Sequence, residues 1–306
     1  MHRLVLRIGK KRVAWLCDTD LRFAAAWLLP WALRDKDWAF RTPEDTSPVD
    51  FMVAIHWPFV RAQVAIATPP PKPLPPEFLE FQGPKFTLAG EPFARGQFVP
   101  EAWEICTGRD PADHDHVRYG PVMGPWCPPL ETNKRLFWSV IDSGKWPWRL
   151  QRIKEIAKTM SAGEGHAFGR CVNSQLPGYH NFQTPSLFGQ DKYRGLADYA
   201  FHLAIESFPV SDYWTEKIAD PIMCEAVPIY QGCPNIADYF EPDSYILAED
   251  AARVDWTQWP AEYAKRRPAV LRQRELIRTR FNFFSYFDVL TDDLSRLTKP
   301  QPLTRF

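Results

Sequence analysis

The run from Tyr199 to Ser207 reads Tyr-Ala-Phe-His-Leu-Ala-Ile-Glu-Ser, apolar or aromatic almost throughout until a carboxylate and a hydroxyl close it. Such a run suits a buried strand that delivers polar groups at its end. A short loop, Phe208-Pro209-Val210-Ser211, leads to Asp212-Tyr213-Trp214-Thr215-Glu216-Lys217-Ile218-Ala219-Asp220. Asp212 or Ser211 is the expected cap of a helix that begins here. The open N–H groups of a helix N-terminus favour an anion. Lys217, in the first turn, stands where the helix dipole opposes a cation. An anionic ligand beside the strand end would compensate that penalty. A solvated lysine paired with Glu216 or Asp220 would explain it equally well, and spacing alone leaves both readings open.

The surrounding elements must position these groups. Ala226 to Tyr230 reads as a strand, Gln231 to Pro234 as a turn, Asn235 to Phe240 as a short helix and Ser244 to Leu247 as a last strand. Upstream, Arg135 to Ile141 is a strand. Trp148 to Met160 has helical spacing, with Leu150, Ile153, Ile156 and Ala157 on one side. Ala167-Phe168-Gly169-Arg170 closes a further strand. Strands alternating with helices predict a parallel sheet covered on both faces, with ligands beyond the carboxyl ends of its strands.

The first half repeats the theme. Arg12 to Cys17 reads as a strand, Leu21 to Leu33 as an apolar helix, and Val49 to His56 as a second strand. Pro69 to Pro76 is an extended loop. Lys85 to Ala89 is a strand running into Gly90-Glu91-Pro92, a tight strand-end turn that presents a carboxylate. Thr107 to Pro129 is loop, closing on the linker Gly124-Pro125-Trp126-Cys127-Pro128-Pro129. Ala261 to Leu290, rich in Arg, Leu and Phe, reads as helices packing back across the molecule.

Composition narrows the function. The chain has 306 residues, suiting two domains, and 37 basic against 37 acidic side chains. A neutral balance removes the electrostatic driver of sequence-independent nucleic-acid binding. Thirteen Trp, 10 Tyr and 21 Phe serve cores first and can also stack on sugar rings. The six cysteines form no C-x-x-C pair and are expected as free buried thiols. Asp113-His114-Asp115-His116 is read as a polar loop, since adjacent residues seldom converge on one ion. No dinucleotide fingerprint and no P-loop occurs. The start has no long apolar region, and the most apolar window, Phe23 to Leu33, is too short to span a bilayer. A cytoplasmic location is expected, without a transmembrane segment, and peripheral membrane contact stays open.

Three segments then fall into one pattern: Phe201 to Ser207, Asp212 to Lys217, and Val227-Pro228-Ile229-Tyr230-Gln231-Gly232-Cys233-Pro234-Asn235-Ile236-Ala237-Asp238-Tyr239-Phe240. In order and gaps they resemble the donor-binding signature of the α1,3/4-fucosyltransferases, glycosyltransferase family 10. His166-Ala167-Phe168-Gly169-Arg170 is similar to that family's strand ending in Gly-Arg, and Leu88-Ala89-Gly90-Glu91-Pro92 resembles a turn of its bacterial members. The resemblance implies an α/β fold of GT-B type, two Rossmann-like domains facing a cleft. Residues 1–130 would bind the acceptor, 131–262 the nucleotide-sugar donor, and 263–306 would form C-terminal helices packing back.

The implied reaction moves fucose from GDP-fucose to a hydroxyl of a glycan acceptor with inversion, as an α1,3 linkage on a surface polysaccharide or lipopolysaccharide. Inversion needs a base for the acceptor proton, and Glu91 is the candidate. A departing diphosphate needs fixed cations, which Arg170 and Lys217 would supply. Glu206, Ser207, Tyr213 and Glu216 would complete the donor site, with Tyr230 and Gly232 shaping the turn. No metal and no further cofactor is expected. Ser207 stands where many members have Asn, and Pro221 falls inside the expected helix. Both bear on donor identity, so another nucleotide sugar remains an alternative, as does a non-catalytic glycan- or nucleotide-binding protein.

Overall fold

The computed structural model describes residues 2–8, 11–17, 40–41, 48–55, 74, 76–89, 102–106, 117–119, 134–142, 146–160, 165–169 and 195–282. The helix expected at 21–33, the Asp113–His116 cluster, the 124–129 linker, Glu91, Arg170 and the tail beyond Asn282 lie outside them. The chain divides into two units. One comprises residues 1–124 with 281–306, and the other residues 125–280.

The first unit is built on a seven-stranded sheet: β1 (His2–Ile8), β2 (Lys11–Cys17), β3 (Phe40–Arg41), β4 (Phe51–Ile55), β5 (Lys85–Ala89), β6 (Ala102–Cys106) and β7 (Val117–Tyr119). Its order is β3-β1-β2-β4-β5-β6-β7. β1 pairs antiparallel with both β2 and β3, while β2, β4, β5, β6 and β7 run parallel. Those parallel strands follow one another in chain order, so the winding direction never reverses among them. The Pro-rich stretch ends in a short helix, α1 (Pro76–Glu80), whose Phe78 is buried with Leu74 against Ala14 and Met52. Lys85 Nζ donates to the Leu79 carbonyl at 3.0 Å, satisfying an orphan acceptor near the end of α1.

The described residues of the second unit combine strand and helix. Its strands are β8 (Leu136–Ile141), β9 (Gly165–Phe168), β10 (Tyr199–Ile205), β11 (Val227–Gln231) and β12 (Ile246–Leu247), in the order β12-β11-β10-β8-β9. Every pairing is parallel. Burial on both faces explains why β10 reads as a continuous apolar run: all its residues are buried. Here the winding does reverse. β9 lies on one side of β8 and β10 on the other, and the gap between β8 and β10 is the topological switch point, where such sheets open a crevice at their carboxyl ends.

Among the described residues three α-helices accompany this sheet: α2 (Pro147–Thr159), α3 (Glu216–Met223) and α4 (Trp259–Thr279). α2 starts on Pro147, whose missing N–H costs nothing in a first turn, and buries Ile153 and Ile156. Pro221 sits inside α3 as expected. It has no N–H for the Lys217 carbonyl, yet the chain stays helical to Met223. Asn235–Phe240 resolves into a single 3-10 turn, Ile236–Asp238.

α4, which opens the stretch set apart as C-terminal helices, begins at Trp259 and belongs to the second unit. The physical reason lies at Glu225. This buried carboxylate accepts from Arg267 Nε and Nη2 at 3.1 and 2.7 Å and from Arg274 Nη1 at 2.7 Å, and its carbonyl accepts from Tyr263 Oη at 2.9 Å. Trp256, just before α4, packs edge-on against Phe201 of β10 at 5.2 Å, and Trp259 stacks on Phe137 of β8 at 5.5 Å. α4 is thus fastened to the sheet by charge at one level and aromatic packing at another.

Candidate functional site

At the carboxyl end of β10 the Glu206 backbone N–H donates to the Gln231 carbonyl at 2.8 Å, carrying the sheet one residue past the strand. The side chain turns inward and is 1% exposed. Its Oε1 accepts from Thr215 N at 2.8 Å and Thr215 Oγ1 at 3.1 Å, and its Oε2 accepts from Thr215 Oγ1 at 2.8 Å. Lys217 Nζ stands 3.4 Å from the same Oε2 and 3.6 Å from Glu216 Oε1, and donates to Thr215 Oγ1 at 3.1 Å. Burial pushes the Glu206 carboxyl above the ordinary carboxylate range, Lys217 opposes that shift, and Glu216 adds to it.

Thr215 is also the helix cap. Its backbone is extended and its hydroxyl accepts from Lys217 N at 3.3 Å, so α3 begins at Glu216. The expectation that Ser211 or Asp212 caps this helix is therefore corrected. Asp212 has φ 61°, in the left-handed region. Its Oδ1 accepts from Asn235 Nδ2 at 2.9 Å and from the Tyr239 hydroxyl, and its N–H donates to Asn235 Oδ1 at 2.8 Å. The short polar side chain of Asp tolerates this conformation better than most. The turn it makes, locked to the 235–239 segment, brings the chain back so that Thr215 meets Glu206.

Tyr213 was expected near the donor. It is 0% exposed and packs edge-on against Phe208 at 5.8 Å, so it shapes the loop from inside. Glu206, equally enclosed, holds Thr215 and Lys217 in place rather than facing solvent. Lys217 and Ser207 keep partial exposure. Lys217 lies close to Glu216, as expected, and also to Glu206, which was not foreseen.

Two glycines are needed for close approach. A Cβ on Gly232 would lie 2.4 Å from Glu206 Cγ and 2.6 Å from the Tyr230 hydroxyl. That hydroxyl in turn accepts from Cys233 N at 2.9 Å, bracing the turn over Glu206. Gly169 has φ 134°, and a Cβ there would meet the Asp142 carbonyl oxygen at 1.8 Å. Only glycine lets the chain leave β9 directly past Asp142 on the way to Arg170.

The sequence reading passed over one cluster. Asp142, just past β8, pairs with Arg149 of α2, Nε to Oδ2 at 2.5 Å, with both side chains buried. Arg149 Nη1 reaches Ser207 Oγ at 3.3 Å. One turn on, Arg152 Nε donates to Gln231 Oε1 at 2.6 Å. α2 therefore directs two guanidinium groups to the strand ends of β10 and β11. The available signal was an arginine in the first turn of a helix, Pro147-Trp148-Arg149, directly after a strand ending in Asp. Among the described residues no cluster of three metal-ligating side chains occurs, and no helix is long and apolar enough to cross a membrane.

The assembled edge offers the partly exposed Lys217 ammonium at a switch point, beside the buried Glu206 and with the Arg149 guanidinium held inward by Asp142. That can bind a compact, multiply charged anion and stabilise negative charge that grows on it. Residues 130–258 match the family model described as Glycosyltransferase family 10 (fucosyltransferase) C-term. The matched stretch contains every candidate donor residue and excludes Glu91. The chain is 35% identical over 112 residues to the GDP-fucose protein O-fucosyltransferase 3 of Danio rerio, and 37% over 90 residues to that of Rattus norvegicus. These alignments span 32% and 29% of this chain, and only 24% and 18% of those longer proteins. Among solved structures, an α1,3-fucosyltransferase with GDP aligns over 89% of this chain and 92% of its own at 15% identity, with a TM-score of 0.48.

Proposed function

We propose that this chain is a glycosyltransferase that binds GDP-fucose in its second unit and transfers fucose to an acceptor hydroxyl. The observation that carries the reading is the Glu206–Thr215–Lys217 cluster at the carboxyl edge of the parallel sheet, inside the stretch that matches the fucosyltransferase C-terminal domain.

In this reading Lys217 is a compact charge set against the donor diphosphate, and Arg170, two residues past the end of β9 in sequence, supplies a fork of donors to the same oxygens. Glu206 does not touch the donor. It fixes the cap residue and the ammonium, so that the positive end of α3 and Lys217 face the phosphates together. Glu216 accepts from donor hydroxyls. Glu91 takes the proton of the acceptor hydroxyl as that oxygen attacks the anomeric carbon; the bond from that carbon to the phosphate oxygen breaks, GDP leaves, and the centre is inverted. Protein cations balance the leaving charge, so the reaction asks for no bridging metal. A GT-B arrangement, with the first unit holding the acceptor, completes the proposal.

Two acceptor classes compete. A hydroxyl of a surface glycan, in α1,3 linkage, follows from the resemblance of the signature segments. A protein hydroxyl is favoured by the name shared by the matching curated relatives, GDP-fucose protein O-fucosyltransferase 3. Release of nucleoside diphosphate from a panel of nucleotide sugars, with and without glycan and peptide acceptors, separates them. GDP-fucose turnover stimulated by one acceptor class supports the reading and chooses the acceptor. Turnover of another donor with none of GDP-fucose would sink the fucose assignment, and nucleotide binding without turnover of any donor would leave a non-catalytic binding protein.

A further inference from the structure

Side chains alternate across a strand, so the carboxyl edge of the second sheet has two sides. Glu206 and Gly232 share one of them, with Lys217 and the start of α3. Gln231, the last residue of β11, pairs with Ile205 and belongs to the other, where Ser207 meets Arg149 of α2. One turn further along α2, Arg152 Nε donates to Gln231 Oε1 at 2.6 Å, while Arg152 Nη1 reaches Glu155 Oε2 at 3.2 Å. A carboxamide has one accepting end and one donating end. Arginine only donates, so the oxygen of Gln231 must face Arg152 and the NH2 must face away. The reverse orientation would set donor against donor. Gln231 is partly exposed, and its Nε2 has no partner among the described residues. This side of the edge therefore carries a group that can donate two hydrogen bonds and accept none.

We propose that Gln231, its carboxamide oriented by Arg152, reads the base of the bound nucleotide and selects guanine over adenine. This role rests on the nucleotide-sugar reading of the edge and adds to it the residue that sets base specificity. With the diphosphate on the Lys217 side, the nucleoside is the part of the donor that can lie along the strand ends, because the sugar being transferred must stay free to meet an acceptor. Guanine presents two acceptors side by side, N7 and O6, whereas adenine presents N7 beside an amino group that donates. An outward NH2 matches the guanine edge and meets a second donor on adenine, so the wrong base is rejected as well as the right one bound. Arg152 touches no ligand and is a positioning residue.

Calorimetric titration of the full chain with GDP and with ADP tests this. Both ligands carry the same diphosphate, so the ratio of their affinities cancels any general change of charge and isolates the base. The parent should bind GDP about tenfold or more tighter than ADP. Gln231→Glu keeps the shape and the contact with Arg152 but turns the outward donor into an acceptor. It should unfold no lower than the parent and lose most of the preference for GDP. Gln231→Met, which removes the donor without adding charge, should also lose the preference, and it decides the matter if the glutamate variant fails to fold. Arg152→Met frees the carboxamide to turn and should lower the ratio. Arg152→Lys keeps one donor on Oε1 and should restore it, whereas a merely structural contact would change stability and leave the ratio alone. A parent that binds GDP without preference over ADP, or Gln231 variants that keep the parent's ratio, overturns the role of Gln231 and leaves the donor-site reading standing. A parent that binds neither nucleotide overturns both.

Discussion

Glu206 and Lys217 face each other at 3.4 Å across the hydroxyl of Thr215, which bonds to both. One side of this pair is wholly enclosed and the other partly open to solvent. Removing one partner of a buried pair costs more than the pair contributes, because the remaining charge stays desolvated. The triad is therefore a rigid pedestal for an ammonium group. Thr215→Val, nearly isosteric, strips the cap and two of the contacts on Glu206 at once. It should lower unfolding stability by about 1–3 kcal/mol in urea titration and weaken nucleotide binding in parallel.

Gly232→Ala tests the same pedestal from the other side. The added methyl would sit within 2.4 Å of Glu206 Cγ and 2.6 Å of the Tyr230 hydroxyl, both in fully packed surroundings. Displacement of Glu206 should cost about 1–3 kcal/mol of stability and reduce donor turnover more than the stability loss alone explains. A variant with parent-like turnover would show that the Glu206 carboxylate does not control the position of Lys217.

Much of this was legible in the sequence, and for a definable reason. The strand at 199–205 and the helix at 147–159 announce themselves through continuous apolar character and helical spacing. The cap of α3 was not legible. Ser211, Asp212 and Thr215 are all good cap types, and the choice among them is made by Glu206 and Asn235, partners 9 and 23 residues away in the chain. The same holds for Arg149, which spacing alone presents as an ordinary surface arginine and which tertiary contact with Asp142 and Ser207 turns inward. Partner sets of this kind depend on strand order, and strand order is not written in local periodicity.

Glu225 gives a prediction about α4. It is buried, has φ 60°, and binds Arg267 and Arg274. Glu225→Ala should destabilise the chain by about 2–4 kcal/mol, somewhat less than the ~3–5 kcal/mol of a fully buried pair, because both arginines can turn toward water. Glu225→Gly loses the same ion pairs but tolerates the left-handed backbone, and should be more stable than Glu225→Ala by about 1 kcal/mol. Chemical denaturation of both variants checks the ordering.

Lys134 makes stability depend on pH. Its ammonium donates to the Leu196 and Ala197 carbonyls at 3.0 and 2.8 Å, and burial lowers its pKa from 10.5 to about 8. Between those values the unfolded chain holds the proton more tightly than the folded one, so stability rises with pH across that window. The gain is on the order of 3 kcal/mol, most of it present by the upper end. Lys134→Met should remove this rise, as read from unfolding midpoints between pH 7.5 and about 10.5.

The central claim is that the carboxyl edge of the second sheet binds a nucleoside diphosphate through Lys217. Calorimetric titration of GDP into the parent, Lys217→Ala and Lys265→Ala tests it most directly. Lys265 lies on α4, 69% exposed and 3.8 Å from Glu262, and serves as a control of equal charge. The account predicts saturable binding by the parent and by Lys265→Ala, and at least tenfold weaker binding by Lys217→Ala, the loss of about 1.4 kcal/mol or more expected for a cation on a phosphate. Equal affinity in all three proteins, or no binding by the parent, would contradict it.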